Sequence, residues 1–334
     1  MKTSITWAIL LLAHICMATA DVDRVQSRQM ASSRSSYIRG WKLIWRDEFD
    51  GSRIDSKRWS YQLGNGCEYG ICGWGNNEHQ YYTNQSANSV VEGGRLIIKA
   101  RHETGAQRER LQKYCKSRCS QKDANCKAGC DGVGFSSARL RTAGKFSVAP
   151  GSKGYSSIRV SARIKLSPGA GLWPAIWLLP EVPKARRCSG CGRYGVWASS
   201  GEIDVFEAVN GMNEALGSIH YGSAWPNNQY STVRREIDPN VWHTVTLIWR
   251  SSMMEWYLDG QKFGEARSGG GTTNGWYSAG EGAGANSPFD ERFHILINMA
   301  VGGGLTGNMP VEGAAATLVN PKSFQIDWIR VYAR

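Results

Sequence analysis

With 334 residues, 41% of them hydrophobic, the chain has room for one large all-β domain or two ordinary ones, with a true apolar core. Its 39 Gly, 14 Trp and 13 Tyr suit a turn-rich β scaffold with a stacking surface. The net charge is +12, but Arg and Lys are scattered and form no dense basic run with interleaved aromatics; this argues against nucleic acid and leaves anionic polysaccharides or cell surfaces as partners of such a charge.

Residues 1–20 read as a secretory signal: Lys2, an apolar run from Ile5 to Ile15, and the small-residue site Ala18-Thr19-Ala20. The run is too short for a membrane anchor, and nothing later is long enough to span. The signal would take one of nine cysteines, Cys16, and leave eight, an even number suited to an oxidising compartment. Residues 21–40 are polar and read as a flexible leader. The folded domain is expected over 41–334, opening with Trp41 to Asp50.

Cys67 and Cys72 bracket a short loop, and Asn84-Gln85-Ser86 is an acceptor sequon. Leu96 to Ala100 is strand-like. Cys115-x-x-x-Cys119 and Cys126-x-x-x-Cys130 share one spacing. On two antiparallel helical turns Cys115 would meet Cys130 and Cys119 would meet Cys126, which predicts a stapled helical hairpin at about 104–134. Zinc is the alternative for such pairs, and the secretory context favours disulfides. Strands are predicted over 157–164, 243–249, 254–258, 293–298 and 324–332. Asp259-Gly260 is a hairpin turn. Cys188-Ser189-Gly190-Cys191 is a close pair with no thioredoxin-like pattern around it. The Gly-rich stretch 268–286, with Trp276 and Tyr277, is expected at a rim. No internal repeat is present, and many strands with Gly-rich joints predict a two-sheet sandwich.

The chemistry concentrates in Gly201-Glu202-Ile203-Asp204-Val205-Phe206-Glu207. Glu202 and Asp204 are two apart and share one face of a strand. Glu207 would point into the core unless one extra residue, a β-bulge near Val205-Phe206, returns it to the polar side. Three crowded carboxyls should raise one another's pKa, so that an acid and a base coexist near neutral pH. Hydrolysis of a glycoside needs such a pair. Upstream, Trp173 and Trp177 are four apart on one strand face and offer two indoles to the apolar faces of sugar rings.

These pieces resemble glycoside hydrolase family 16, and within it the laminarinases. The resemblance covers about 41–334, and its motifs run in order: Trp45 to Phe49, Gly73 to Thr83, Ser137 to Leu140, Gly171 to Pro180, Gly201 to Glu207, Gly217 to Gly222, Asn298 to Gly303 and Ile326 to Tyr332. It implies a concanavalin-like β-jelly-roll sandwich with a concave cleft, and a secreted, retaining endo-β-1,3-glucanase. By the resemblance Glu202 is the nucleophile, Glu207 the acid/base, and Asp204 the residue that sets the protons between them. It also implies that Asn76, Arg139, Trp173, Trp177 and His220 bind sugar. No cofactor is implied for the reaction. Some members hold a structural calcium, which here would use Glu48 and Asp327. The implied partner is β-1,3-glucan; a monomer is the default, without membrane anchor. The segment Gly302 to Thr306 departs from the family pattern, because it lacks the Asn-Trp expected after Gly-Gly. A non-catalytic β-1,3-glucan recognition protein is the alternative on this scaffold.

Overall fold

The computed structural model describes residues 36–121, 123–181 and 190–334. The expected signal, most of the leader and Cys188 lie outside the described residues. The chain divides into a short unit ending at Leu43 and a large one, Ile44–Arg334. Within the first, the Trp41 N–H donates to the Ile38 carbonyl at 3.0 Å.

In chain order the elements are β1 (Lys42–Asp47), β2 (Ser60–Tyr61), β3 (Gln80–Tyr82), β4 (Ser89–Val91) and β5 (Leu96–His102). Then come helices α1 (Gly105–Arg118) and α2 (Ala124–Asp131), followed by β6 (Phe135–Ser137), β7 (Arg139–Arg141), β8 (Ser157–Lys165) and β9 (Leu172–Pro180). Next are β10 (Glu202–Glu207), β11 (Glu214–Gly222), β12 (Asn228–Glu236), β13 (His243–Arg250), β14 (Met253–Leu258) and β15 (Gln261–Arg267). The chain ends with β16 (Phe293–Val301), α3 (Val311–Thr317) and β17 (Lys322–Ala333).

The strands form two sheets, as the alternating pattern predicts. One has seven strands in the order β12-β11-β10-β9-β16-β7-β2. The other has ten, with the path β15-β14-β13-β8-β17-β5-β6-β3 and with β1 on β17 and β4 on β5. Their inner faces meet in one apolar core. Phe206 of β10 stacks on Phe324 of β17 at 6.2 Å, and Trp249 of β13 meets Phe293 of β16 edge-on at 5.5 Å. Such aromatic pairs add to simple area burial because ring edges and faces carry opposite partial charge. The β14–β15 turn is the expected Asp-Gly: both Asp259 and Gly260 have positive φ, 49° and 82°, which suits the twist of a two-residue hairpin.

The predicted helical hairpin is present. Disulfides join Cys115 to Cys130 and Cys119 to Cys126, so these thiols are not zinc ligands. The hairpin buries its own small core of Tyr81, Leu111, Cys115, Cys130 and Val133. It docks through α2 onto the loop closed by Cys67–Cys72. Gly129 is what permits that approach: a Cβ there would lie 2.7 Å from Cys67 Sγ. The Gly129 carbonyl also accepts from Asn65 Nδ2 at 3.0 Å. Cys191 is disulfide-bonded as well. Trp276, expected at a rim, is instead 1% exposed and packs edge-on against Phe289 at 5.2 Å, because its ring completes the core beneath the Gly-rich loop.

The two residues expected to hold calcium are each engaged by an arginine. Glu48 takes Arg330 through both oxygens, at 2.8 and 2.7 Å, and Asp327 takes Arg163 at 2.6 Å. A guanidinium at each carboxylate supplies the positive charge that an ion would supply, so the residues as placed do not fit a calcium site. Chelation with EDTA should therefore leave the melting temperature unchanged. A drop of more than about 5 °C in a thermal melt would contradict this.

Candidate active site

The acids sit on β10, between β9 and β11. Opposite β11 the register runs Glu202 to His220 and Asp204 to Ser218, then jumps to Glu207 opposite Leu216. Opposite β9, Asp204 faces Trp177, Phe206 faces Ile176 and Glu207 faces Ala175. One extra residue thus lies between Asp204 and Phe206, where the bulge is predicted. Cross-strand partners share a sheet face, so Glu202, Asp204 and Glu207 all lie on the face of Trp177 and His220. Ile203, Val205 and Phe206 belong to the core.

Each glutamate is held by an indole donor. Trp173 Nε1 donates to Glu207 Oε1 at 2.8 Å, and Trp197 Nε1 donates to Glu202 Oε2 at 2.8 Å. Ser218 Oγ reaches Glu207 Oε2 at 3.5 Å. His220 Nε2 lies 3.4 Å from Asp204 Oδ2, an electrostatic contact without hydrogen-bond alignment. The His220 ring packs on Trp197 at 5.5 Å and on Tyr230 at 6.0 Å. Tyr230 is the cross-strand partner of His220 on edge strand β12 and is 68% exposed, so it extends the aromatic surface away from the acids.

Burial dominates the titration of the trio. It pushes Glu202 up to about 8, reinforced by the charge of Asp204 and countered by His220. Glu207 is pushed up to about 8 for the same reasons, and Asp204 to about 8 by burial against a hydrogen bond with Glu202. Because the groups lie so close, their protons belong to the set and come off in successive macroscopic steps. The folded-state values are raised above the ordinary carboxyl range. Their contribution to stability is therefore fully present below about pH 4 and is lost as pH rises through about 8. Asp204→Asn removes the charge that raises both neighbours. Its melting temperature should fall less than that of the unaltered protein between about pH 5 and about pH 8. Parallel melts with equal slopes would refute this reading.

The expected sugar-binding residues fall into two groups. Trp173 and His220 touch the acids, as described. Asn76, Arg139 and Trp177 belong to a neighbouring network. In it Trp177 Nε1 donates to Asn298 Oδ1 at 2.7 Å, and Asn298 Nδ2 donates to the Tyr82 hydroxyl at 3.0 Å. The Tyr82 hydroxyl donates to Glu78 Oε2 at 3.3 Å, and Asn76 Nδ2 donates to Glu78 Oε1 at 3.2 Å. Burial pushes the Glu78 carboxyl up against the pull of Arg139. The Arg139 guanidinium is sandwiched between Trp74 and Trp177, at 4.4 and 4.5 Å from their ring centroids. It is only 3% exposed, which leaves it little surface for a ligand and one face of Trp177 already covered. Asn76 is exposed, and Trp173 and Trp177 are partly so. Gly303 lets the departing loop close on Trp173: its φ is 98°, and a Cβ there would lie 3.1 Å from the indole.

Trp197, Ser218 and Asn298 were not singled out as site residues by sequence. Trp197 is five residues before Glu202, but nothing in a Gly- and Ser-rich segment announces a donor. Glu202, Asp204 and His220 present ligand atoms within 4.8 Å of one another, close enough for a cation, but the Trp197 and Glu202 contacts suit a protonated cluster equally. Cavities of about 460 and 390 Å³ are lined by groups such as Asp290, Arg292 and Phe146 and by none of the three acids.

A two-sheet β sandwich with three carboxyls and a row of indoles on one sheet face has the frame of a carbohydrate-active protein. The family model for glycosyl hydrolases family 16 matches residues 76–277, and the chain belongs to that family. It is 32% identical over 320 residues to glucan endo-1,3-beta-glucosidase A1 of Niallia circulans; the match covers 93% of this chain but 41% of that protein. The solved laminarinase of Rhodothermus marinus superposes with a TM-score of 0.64 at 28% identity, covering 87% of this chain and 97% of that one. The chain is also 29% identical over 328 residues to a beta-1,3-glucan-binding protein of Penaeus monodon, covering 86% of this chain and 81% of that protein.

Proposed function

We propose that the protein is a secreted, retaining endo-β-1,3-glucanase acting on laminarin-like glucans. The observation that carries this is the carboxyl trio on one face of β10, with Glu207 turned outward by the extra residue and held by Trp173. In this reading Glu202 attacks the anomeric carbon and forms a glycosyl-enzyme. Glu207 first protonates the leaving oxygen and then takes a proton from the incoming water. Asp204, hydrogen-bonded to Glu202, keeps a proton in the set so that the two glutamates can hold opposite protonation states. Trp173, Trp177, Asn76 and the exposed Tyr230 surface would carry sugar rings, with Arg139 holding Trp177 from behind. No cofactor takes part in this scheme. Secretion rests on the sequence of residues 1–20, and the exposed loop position of Asn84 suits glycan attachment. Among the described residues, no helix is long and apolar enough to cross a membrane.

The test is product analysis on laminarin, lichenan and carrageenan, with the anomeric configuration followed by NMR. Retention requires the β-anomer first; initial release of the α-anomer would exclude the scheme. A second reading, binding of β-1,3-glucan without cleavage, is favoured by the likeness to the glucan-binding protein. It predicts no new reducing ends from laminarin under the same conditions.

A further inference from the structure

The bulge that turns Glu207 outward has a consequence inside the sandwich. An extra residue breaks the ladder locally and leaves backbone groups without their usual strand partner. At this bulge the Asp204 carbonyl is taken by a donor from the other sheet: Trp256 Nε1 donates to it at 2.9 Å, in a buried contact across 52 residues of sequence. Trp256 lies on β14 and is 1% exposed. Its ring is seated against Gly217 of β11, the strand paired with the bulge. A Cβ on Gly217 would lie 2.2 Å from the Trp256 Cδ1 and 2.4 Å from its Nε1, so no residue with a side chain fits there without moving the indole. Phe206, inside the bulge, is pinned from the same sheet by Phe324.

We propose that Trp256 is a positioning residue for Glu207. Its indole N–H, reaching across the sandwich to the Asp204 carbonyl, holds the bulge in the register that aims Glu207 at the cleft. Without that donor the buried carbonyl loses its tie to the opposite sheet, and the bulge is held in register less firmly. Because side chains alternate along a strand, a one-residue slip turns the following side chain to the other face. Gly217 is the second part of the device, because it makes room for the ring. The proposal rests on the reading of Glu207 as the acid.

The experiment compares two substrates by kcat/KM, which reports the steps up to glycosyl transfer onto the enzyme. One is a β-1,3-glucan oligosaccharide, whose sugar leaving group needs a proton. The other is a dinitrophenyl β-laminaribioside, whose phenolate leaves without one. Trp256→Phe keeps the ring and loses the donor. Replacement of Trp256 by its benzothienyl analogue, with sulfur in place of N–H, keeps the shape almost unchanged and serves if the Phe variant folds poorly. Either variant should lose about 10- to 100-fold on the oligosaccharide and less than about 3-fold on the aryl glycoside, the signature of a displaced acid. A loss of folded protein would scale both substrates alike. Equal losses on the two, or none on either, for the analogue overturn the proposal. Glu207→Gln is run beside them. If it discriminates between the substrates and the Trp256 variants do not, the proposal fails and the acid assignment stands. If Glu207→Gln keeps full activity on the oligosaccharide, the acid assignment fails and takes the proposal with it.

Discussion

Glu202→Ala should lower kcat on a β-1,3-glucan by on the order of 10⁴-fold or more, while binding of the glucan remains measurable. The loss is large because covalent catalysis divides one difficult displacement into two, and removing the nucleophile removes both. Asp204 is a poor substitute. It shares the face of Glu202 but is 2% exposed and already hydrogen-bonded to it, so its oxygens are not presented to a sugar. The variant should fold, since Glu202 is partly exposed and its donor, the Trp197 indole, lies beside it. Azide added to this variant should act once, from the nucleophile's side, and yield an α-glycosyl azide. Activity within about tenfold of the unaltered protein would remove Glu202 from the mechanism.

Glu207→Ala should lower kcat/KM on the same glucan by about 10²- to 10⁴-fold, the usual range for loss of a positioned proton donor. Here the glycosyl-enzyme can still form, so azide attacks it as the second displacement and the product is the β-glycosyl azide. The opposite stereochemistry of the two rescued products separates the two roles without reference to rate. The pH profile gives an independent reading. The acid must be protonated, and burial pushes Glu207 up to about 8, so the rate should fall as pH rises through that value. In Glu207→Ala this alkaline limb should disappear. A limb that persists in the variant would assign it to another group.

How much of this was legible beforehand depends on the range of each interaction. Strand positions, the Asp-Gly turn and the two hairpin disulfides depend on neighbours in sequence, and period and spacing predicted them. The bulge was legible too, because a carboxyl at position 207 in a regular strand would be buried without a partner, and that cost demands an extra residue. The expected calcium ligands were not legible as arginine partners. Glu48 and Arg330 are 282 residues apart, and no local pattern pairs them. Arg139 is implied as a sugar ligand only by the resemblance, through its place in the Ser137 to Leu140 motif. It is instead buried between two indoles, since Trp74 arrives from the loop behind the Cys67–Cys72 disulfide.

The sequence by itself determined which chemistry is present: three acids in six residues, one residue out of phase, with tryptophans upstream to meet a sugar. Alternation along a strand is a property of the backbone, so the faces of these side chains follow from their order. Only the tertiary structure decided how each acid is held. Trp173 reaches Glu207 across 34 residues, and Trp256 reaches the Asp204 carbonyl across 52 from the opposite sheet. These donors meet their acceptors because two sheets close on a common core, and hydrogen bonds of about 3 Å are made by that closure, not by any spacing along the chain.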